Sequence, residues 1–347
     1  MKALALTEDQ TLQLVDRPDP IASGPRDVVV KVTQTGICGT DRSVLVGKFR
    51  AAPGTIMGHE AIGVVAETGP AVTGLRVGDR VVVNPTLYCG RCDYCLRGKR
   101  NHCLNKAGTE VGIDRDGSYA EYIVLEDLFL HLIPSDTSDD RAVLIEPLAC
   151  VLNNIDAARM TPASTVTVLG GGPIGLLCVL VLAHFGHPVT LVEQDTYRRS
   201  FATTFLDGVP ENSVRIVGAD ELGQLPGTDV VIDTVGGLLD KALAHVSAGG
   251  LVVIMGFDSR AAVTVRPLEI LQRGISIVGA GDFQPEVFPR AIDLARRLPL
   301  ERLITHRFPL ERHDEAFQAL AGTVGRSANY SAQKVVIQSS SPANDAH

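Results

Sequence analysis

The chain has 347 residues, 45% of them hydrophobic and 21% charged, with a formal net charge of −8 from 32 basic and 40 acidic side chains. That length suffices for two domains with their own cores, and the acidic balance argues against a nucleic-acid binder, which presents a basic face to phosphates. No stretch near Met1 combines a basic start with an apolar core, so no export signal is read and a cytoplasmic location is expected.

Taken in chain order, the first 150 residues hold β-branched runs cut by glycine, at 27–33, 61–67 and 80–84. These predict strands of an irregular, mostly antiparallel domain. Between and beyond them stand Gly36-Ile37-Cys38-Gly39-Thr40-Asp41, Gly58-His59-Glu60, a lobe over 86–106 with Cys89, Cys92, Cys95 and Cys103, and Glu146-Pro147-Leu148. The uncharged run 161–191 has the length of a membrane span but is interrupted by Gly170, Gly171, Gly172, Pro173 and Gly175. A buried strand, a glycine turn and a buried helix account for it better. From there strands are predicted at 165–169, 188–193, 213–217, 229–233, 251–256 and 276–279, with helices starting near Pro173, Tyr197 and Leu238. Strands alternating with helices predict a doubly wound parallel sheet. A helix over 289–297, a last strand over 333–338 and a polar, disordered tail over 339–347 complete the reading.

Three groups of residues carry chemistry. Gly170-Gly171-Gly172-Pro173-Ile174-Gly175 follows a strand and opens a helix, which fits GxGxxG. Glycine lets the backbone approach a pyrophosphate, and the helix N-terminus offers it N–H groups and a partial positive charge. Glu193, 21 residues beyond Gly172, can hydrogen-bond the ribose hydroxyls of NAD, although a plain surface acid is the other reading; Arg198 and Arg199 would suit the extra phosphate of NADP. NAD is favoured and NADP stays open. The seven cysteines are an odd number, with four inside fifteen residues, a pattern unlike a disulfide framework. Four dense thiolates suit a closed, structural tetrahedral zinc, with an iron–sulfur cluster as the rival. Cys38, His59, and Glu60 or Glu146 offer a thiolate, an imidazole and a carboxylate from separate loops. Such a set binds zinc and leaves a position open, although each residue alone has an ordinary structural reading.

The ordered set GICGTD, GHE, four-cysteine lobe, EPL and GGGPIG resembles the zinc-containing medium-chain alcohol dehydrogenase family, from Met1 to Gln338. The resemblance implies a GroES-like, mostly-β catalytic domain from 1–153 and 287–347 and a Rossmann domain over 154–286. It implies two zinc ions per chain, one catalytic on Cys38, His59 and Glu60, and one structural on Cys89, Cys92, Cys95 and Cys103. Glu146 matches the acid that polyol and sugar members place at or beside the metal. Asp41 resembles the acid that orients the zinc histidine, and Thr40 the hydroxyl that takes the substrate's proton. Cys38-Gly39-Thr40-Asp41-Arg42 and the stretch from Thr109 through Glu110 to Ile113 tilt towards the glucose and polyol branches, with Glu110 near the sugar. Ser43 stands where many members carry a relay histidine, so the proton route would run through Ser43 and water or by another path.

The expected function is therefore NAD(P)-linked oxidation of a secondary alcohol of a sugar, polyol or cyclitol, by a homodimer or homotetramer that binds neither nucleic acid nor membrane. An L-threonine 3-dehydrogenase-like enzyme and an aminocyclitol dehydrogenase are the near alternatives. A zinc-free quinone or enoyl reductase would lack the cysteine lobe, and a recruited, non-catalytic cofactor-binding protein would have no use for an open metal position.

Overall fold

A computed structural model gives the structure of residues 1–210, 213–321 and 331–339. The chain forms two compact units. One holds Met1–Ala149, Asp282–Leu320 and the closing strand from Lys334; the other holds Cys150–Gly281 and the described residues of Ala321–Gln333.

The first unit is organised around the strand Asp27–Gly36, whose residues are buried almost without alternation. Its valines are buried because the strand has neighbours on several sides: Glu60–Thr68, Tyr122–Glu126 and Lys334–Gln338 all pair with it antiparallel. Ile304–Pro309 extends the sheet beyond the closing strand, in parallel, while Arg80–Val83 and Leu130–Leu132 extend the other side. Val28, Val30 and Val32 pack with Val65, Val81 and Ile123 into the core. The register sets Gly36 opposite Glu60, and the next turn, at Cys38, therefore lies beside His59 and Glu60.

The second unit is a six-stranded parallel sheet in the order Val214–Val217, Val189–Val192, Val166–Leu169, Thr228–Asp233, Val246–Ile254, Ser276–Gly279. The strand order reverses beside Val166–Leu169, the place where doubly wound sheets bind nucleotides. That strand is wholly buried, and the helix Pro173–His184 that follows is buried from Gly175 to Ala183. Together they explain the long uncharged run without a membrane. No helix among the described residues is long and apolar enough to cross one.

Several elements escape a reading by periodicity. The hairpin Lys2–Leu6 with Leu12–Asp16 has a half-exposed second strand, and the strand Val246–Ile254 begins well before the apolar run at 251. The helices Ile145–Ala157, Pro267–Arg273 and His313–Ala321 also go unpredicted. Beyond Ser339, the tail expected over 339–347 lies outside the described residues.

One core contact has a pH consequence. His131, in Leu130–Leu132, stacks on Phe288 with ring centroids 4.7 Å apart, and burial pushes its imidazole down to about 4. Protonation is therefore easier in the unfolded chain, whose histidines titrate near 6.5. The contribution is complete above that value and is lost as pH falls towards 4. His131→Phe, which keeps the stacked ring, is expected to remove about 1.5 kcal/mol of the stability lost between pH 6.5 and 5. Urea denaturation of both proteins at the two pH values checks this, and equal losses would refute it.

Candidate metal centres and cofactor loop

The first centre forms where the Asp27–Gly36 strand ends. Glycine is required at Gly36 because a Cβ there would collide with the Glu60 carboxylate. Cys38 then adopts extended backbone and N-caps the helix Gly39–Leu45, while the Asp41 carboxylate accepts the Cys38 N–H at 2.9 Å. This is a capping box built on cysteine, and it fixes the direction of both side chains. The facing loop carries Gly58 at φ +90°, a backbone closed to other residues at low cost. His59 follows, and Glu60 opens the next strand.

Ligand atoms of Cys38, His59 and Glu60 all lie within 4.8 Å of one another. Burial disfavours the His59 imidazolium, but the charges of Asp41 and Cys38 outweigh it and hold its pKa well above the usual value. Burial lifts the Asp41 carboxyl above the ordinary range against the pull of His59. A site this rich in buried negative groups is one that a cation would relieve. Thiolate, imidazole and carboxylate are also donors that zinc accepts. The donor set therefore fits a zinc ion with one position left open.

Glu146 is buried but stands outside that three-residue group. It lies in the first turn of the helix Ile145–Ala157; the separate-loop expectation is corrected here, because Pro147 is tolerated in a first helical turn. Burial, then the Glu60 charge, pushes its carboxyl up to about 7, with His59 and Lys334 acting in the opposite sense. Thr40 Oγ1 sits 3.7 Å from Cys38 Sγ. Ser43 turns its Oγ onto the Gly39 carbonyl of its own helix, at 3.0 Å. Glu110 is only partly buried, with its carboxylate 3.2 Å from Lys106 Nζ.

Two residues at this centre had no signal in the motifs. Lys334, in the last strand, is buried and pairs with Glu60 while donating to the Ile37 carbonyl at 3.0 Å. The one available sign is a lysine ahead of the apolar run Val335-Val336-Ile337. Tyr119, fully buried, donates its hydroxyl to Asp41 at 2.7 Å. A tyrosine between Ser118 and Ala120 looks like any core aromatic.

The second centre is the cysteine lobe. The four sulfurs of Cys89, Cys92, Cys95 and Cys103 lie within 4.8 Å of one another, and none of the seven cysteines forms a disulfide. Backbone N–H groups of Cys89 and Asn105 point at the Cys103 sulfur at 3.3 and 3.4 Å, and that of Cys92 at the Cys89 sulfur at 3.3 Å. Hydrogen bonds, the Arg91 N–H foremost, hold Cys89 down to about 6, whereas burial pushes Cys95 up to about 12. Four closely packed thiolates with N–H donors suit one tetrahedral metal ion with no open position.

In the second unit, Gly170 has φ +102° and Gly172 N-caps the helix with Pro173 in its first turn. A Cβ on Gly175 would strike the Gly170 carbonyl, so helix and loop approach at contact distance. Gly172, Pro173 and Ile174 remain partly exposed at the helix start, where N–H groups are open to an anion. Glu193 accepts the Gly171 N–H at 2.6 Å and the Asp195 N–H at 2.8 Å, which orients its carboxylate at the loop. Arg198 Nη1 lies 3.8 Å from where a Cβ on Gly172 would stand. Gln333 braces the loop from the far end of the chain through the Gly171 carbonyl, at 3.2 Å.

Residues 24–135 match the alcohol dehydrogenase GroES-like domain, and residues 173–297 match the zinc-binding dehydrogenase domain. The sorbitol dehydrogenase of Halalkalibacterium halodurans is 30% identical, covering 92% of this chain and 96% of its own. The D-xylulose reductase A of Aspergillus oryzae is 31% identical, over 89% and 90% of the two chains. The solved structure of a zinc-binding dehydrogenase from Sinorhizobium meliloti bound to NADP is 31% identical, with TM-score 0.86 over 97% of this chain and 99% of that one.

Proposed function

The chain belongs to the zinc-binding, NAD(P)-linked dehydrogenases with a GroES-like domain, and from that premise we propose that it oxidises a secondary alcohol of a polyol, sugar or cyclitol to the ketone or lactone. The observation that carries this reading is the buried carboxyl of Glu146, close enough to Glu60 and His59 of the Cys38 centre for their charges to shift it. Carboxylates grip several hydroxyls at once and make a poor lining for an aliphatic chain. The sorbitol and xylulose names of the relatives point the same way.

In this reading Cys38, His59 and Glu60 hold the catalytic zinc, with Glu146 beside it, and Cys89, Cys92, Cys95 and Cys103 hold the structural one. A zinc ion held there would supply a Lewis acid for the substrate hydroxyl, and a nicotinamide cofactor at the glycine loop would supply the hydride acceptor. Thr40 takes the hydroxyl proton. Water continues the path outward; Ser43, whose hydroxyl donates to the Gly39 carbonyl at 3.0 Å, joins that path by turning off the carbonyl and handing its own proton to water as it accepts one. The loop from Gly170 to Gly175 binds the pyrophosphate. Glu193 accepts the ribose hydroxyls and favours NAD, and Arg198 leaves NADP within reach. Glu110 is the outlying candidate for a substrate hydroxyl. Thr40→Ala is expected to lower kcat about 100-fold, the scale of a lost proton-transfer group, and Thr40→Ser to restore most of it. Equal activity of Thr40→Ala and the unaltered enzyme would remove Thr40 from the path.

The same proposal includes a homodimer or homotetramer. The edge strand Ser276–Gly279 is largely exposed, and beside it the helix Pro267–Arg273 has no fully buried residue, seating Ile270 partly on the core while presenting Leu268 and Leu271 to solvent. Edge strands and apolar patches of that kind suit a second copy of the chain. Light scattering tests it, and a 36.9 kDa particle would rule it out. A cytoplasmic location suits cysteines that form no disulfide.

The activity is tested by following NADH and NADPH formation by zinc-replete protein across polyols, sugars, aminocyclitols, L-threonine and simple alcohols. Polyhydroxy substrates are expected to give the highest kcat/KM. A panel in which simple aliphatic alcohols outrun every polyhydroxy compound would overturn the substrate assignment.

A further inference from the structure

Asp41 has no exposed surface, and its two oxygens have different company. Oδ2 receives two donors, the Cys38 N–H at 2.9 Å and the Tyr119 hydroxyl at 2.7 Å. Oδ1 receives none, and it is the oxygen that faces His59 Nδ1, at 3.7 Å. His59 Nδ1 is likewise buried without a partner among the described residues. Two donors on one oxygen fix the plane of a carboxylate, so the other oxygen has one direction left, towards the imidazole. An N–H donated there would settle the tautomer and leave the remaining ring nitrogen for a metal.

The same tyrosine grips the ligand loop from below. Its N–H bonds the Met57 carbonyl at 2.8 Å. Its ring lies so close to Gly58 that a Cβ there would come within 2.7 Å of Cδ1. The Phe317 ring stands perpendicular to that ring, with centroids 6.1 Å apart. Burial, and then the Asp41 charge, keeps the phenol far above its usual pKa, so the hydroxyl remains a donor. Ring and hydroxyl therefore have separable tasks: the ring packs the loop, and the hydroxyl aims Asp41.

We propose that Tyr119 is a positioning residue for His59, its hydroxyl locking Asp41 so that the free carboxylate oxygen sets the tautomer and aim of the metal-binding imidazole. The inference rests on the reading of Cys38, His59 and Glu60 as a metal centre. Removing the direct partner of a metal-bound histidine, here Asp41, costs about 10- to 100-fold in metal affinity or activity, and a residue acting through that partner is expected at the lower end of the range.

The test uses the full chain with cobalt(II) exchanged into the open centre, comparing the unaltered protein, Tyr119→Phe and Asp41→Asn. Tyr119→Phe keeps the ring, so a merely structural role predicts unchanged cobalt binding. The proposal predicts that Tyr119→Phe loses cobalt to a competing chelator at about 10-fold lower chelator concentration or below, with altered visible cobalt bands. Asp41→Asn should shift the same bands in the same direction. Thermal unfolding followed by circular dichroism confirms that each variant is folded. Cobalt affinity and bands in Tyr119→Phe identical to the unaltered protein would overturn the proposal and leave the metal centre standing. Failure of the unaltered protein to show thiolate–cobalt absorption that Cys38→Ser abolishes would overturn the metal centre and the proposal with it.

Discussion

Cys38→Ser protein is expected to fold and bind nicotinamide cofactor while losing turnover by about 1,000-fold. Both the retained fold and the lost turnover follow from the residue's position. Cys38 is the N-cap of the helix Gly39–Leu45, and serine is among the preferred residues there. The capping bond from the Cys38 N–H to Asp41 uses the backbone, so the substitution leaves it intact. The fold thus loses nothing of size. The ligand cluster, by contrast, loses its thiolate and keeps only His59 and Glu60. A Lewis acid at a reacting oxygen is worth several kcal/mol, and a 1,000-fold loss corresponds to about 4 kcal/mol. Steady-state kinetics with the best polyol, beside circular dichroism and NADH binding, reads the two separately. Turnover within tenfold of the unaltered enzyme would detach Cys38 from the chemistry.

Lys334→Met is expected to cost about 3–5 kcal/mol of stability, the usual penalty for leaving one partner of a buried ion pair alone. Lys334 and Glu60 are both nearly inaccessible to solvent. Among the described residues, the Ile37 carbonyl shares the lysine's donors with the carboxylate. Once the lysine is gone from the zinc-free protein, Glu60 is a buried charge beside Asp41 and Glu146 without its counter-ion. The double variant Glu60→Gln, Lys334→Met should recover most of the lost stability, since an apolar or neutral pair costs little. It should not recover turnover, because Glu60 belongs to the ligand set. Urea denaturation of the three proteins measures this, and a single-variant loss below about 1 kcal/mol would mean that the pair is already relaxed by solvent.

What a sequence discloses here follows the range of the interactions. The parallel sheet is legible because its signals are local: an apolar strand at Val166–Leu169, a glycine turn, then a buried helix from Pro173. The four cysteines are legible for the same reason, being close along the chain. The open centre is legible in its parts and not in its assembly. Cys38, His59 and Glu60 meet only because the register of two antiparallel strands sets Gly36 against Glu60, and a one-residue slip would turn those side chains to the other face. Lys334 reaches the same carboxylate from 274 positions away, which nothing local announces. The role of Tyr119 lies in one hydroxyl, and a core phenylalanine would leave the same pattern in the chain.

The central claim is that one chain carries two zinc centres of different kind, a closed one on four cysteines and an open one on Cys38, His59 and Glu60. The most direct measurement is anomalous diffraction at the zinc edge from crystals of the zinc-replete protein. Two peaks per chain are predicted, one among the Cys89, Cys92, Cys95 and Cys103 sulfurs and one at about 2.3 Å from the Cys38 sulfur and about 2.0 Å from a His59 ring nitrogen. A single peak in the cysteine lobe, with none at Cys38 and His59, would contradict the account.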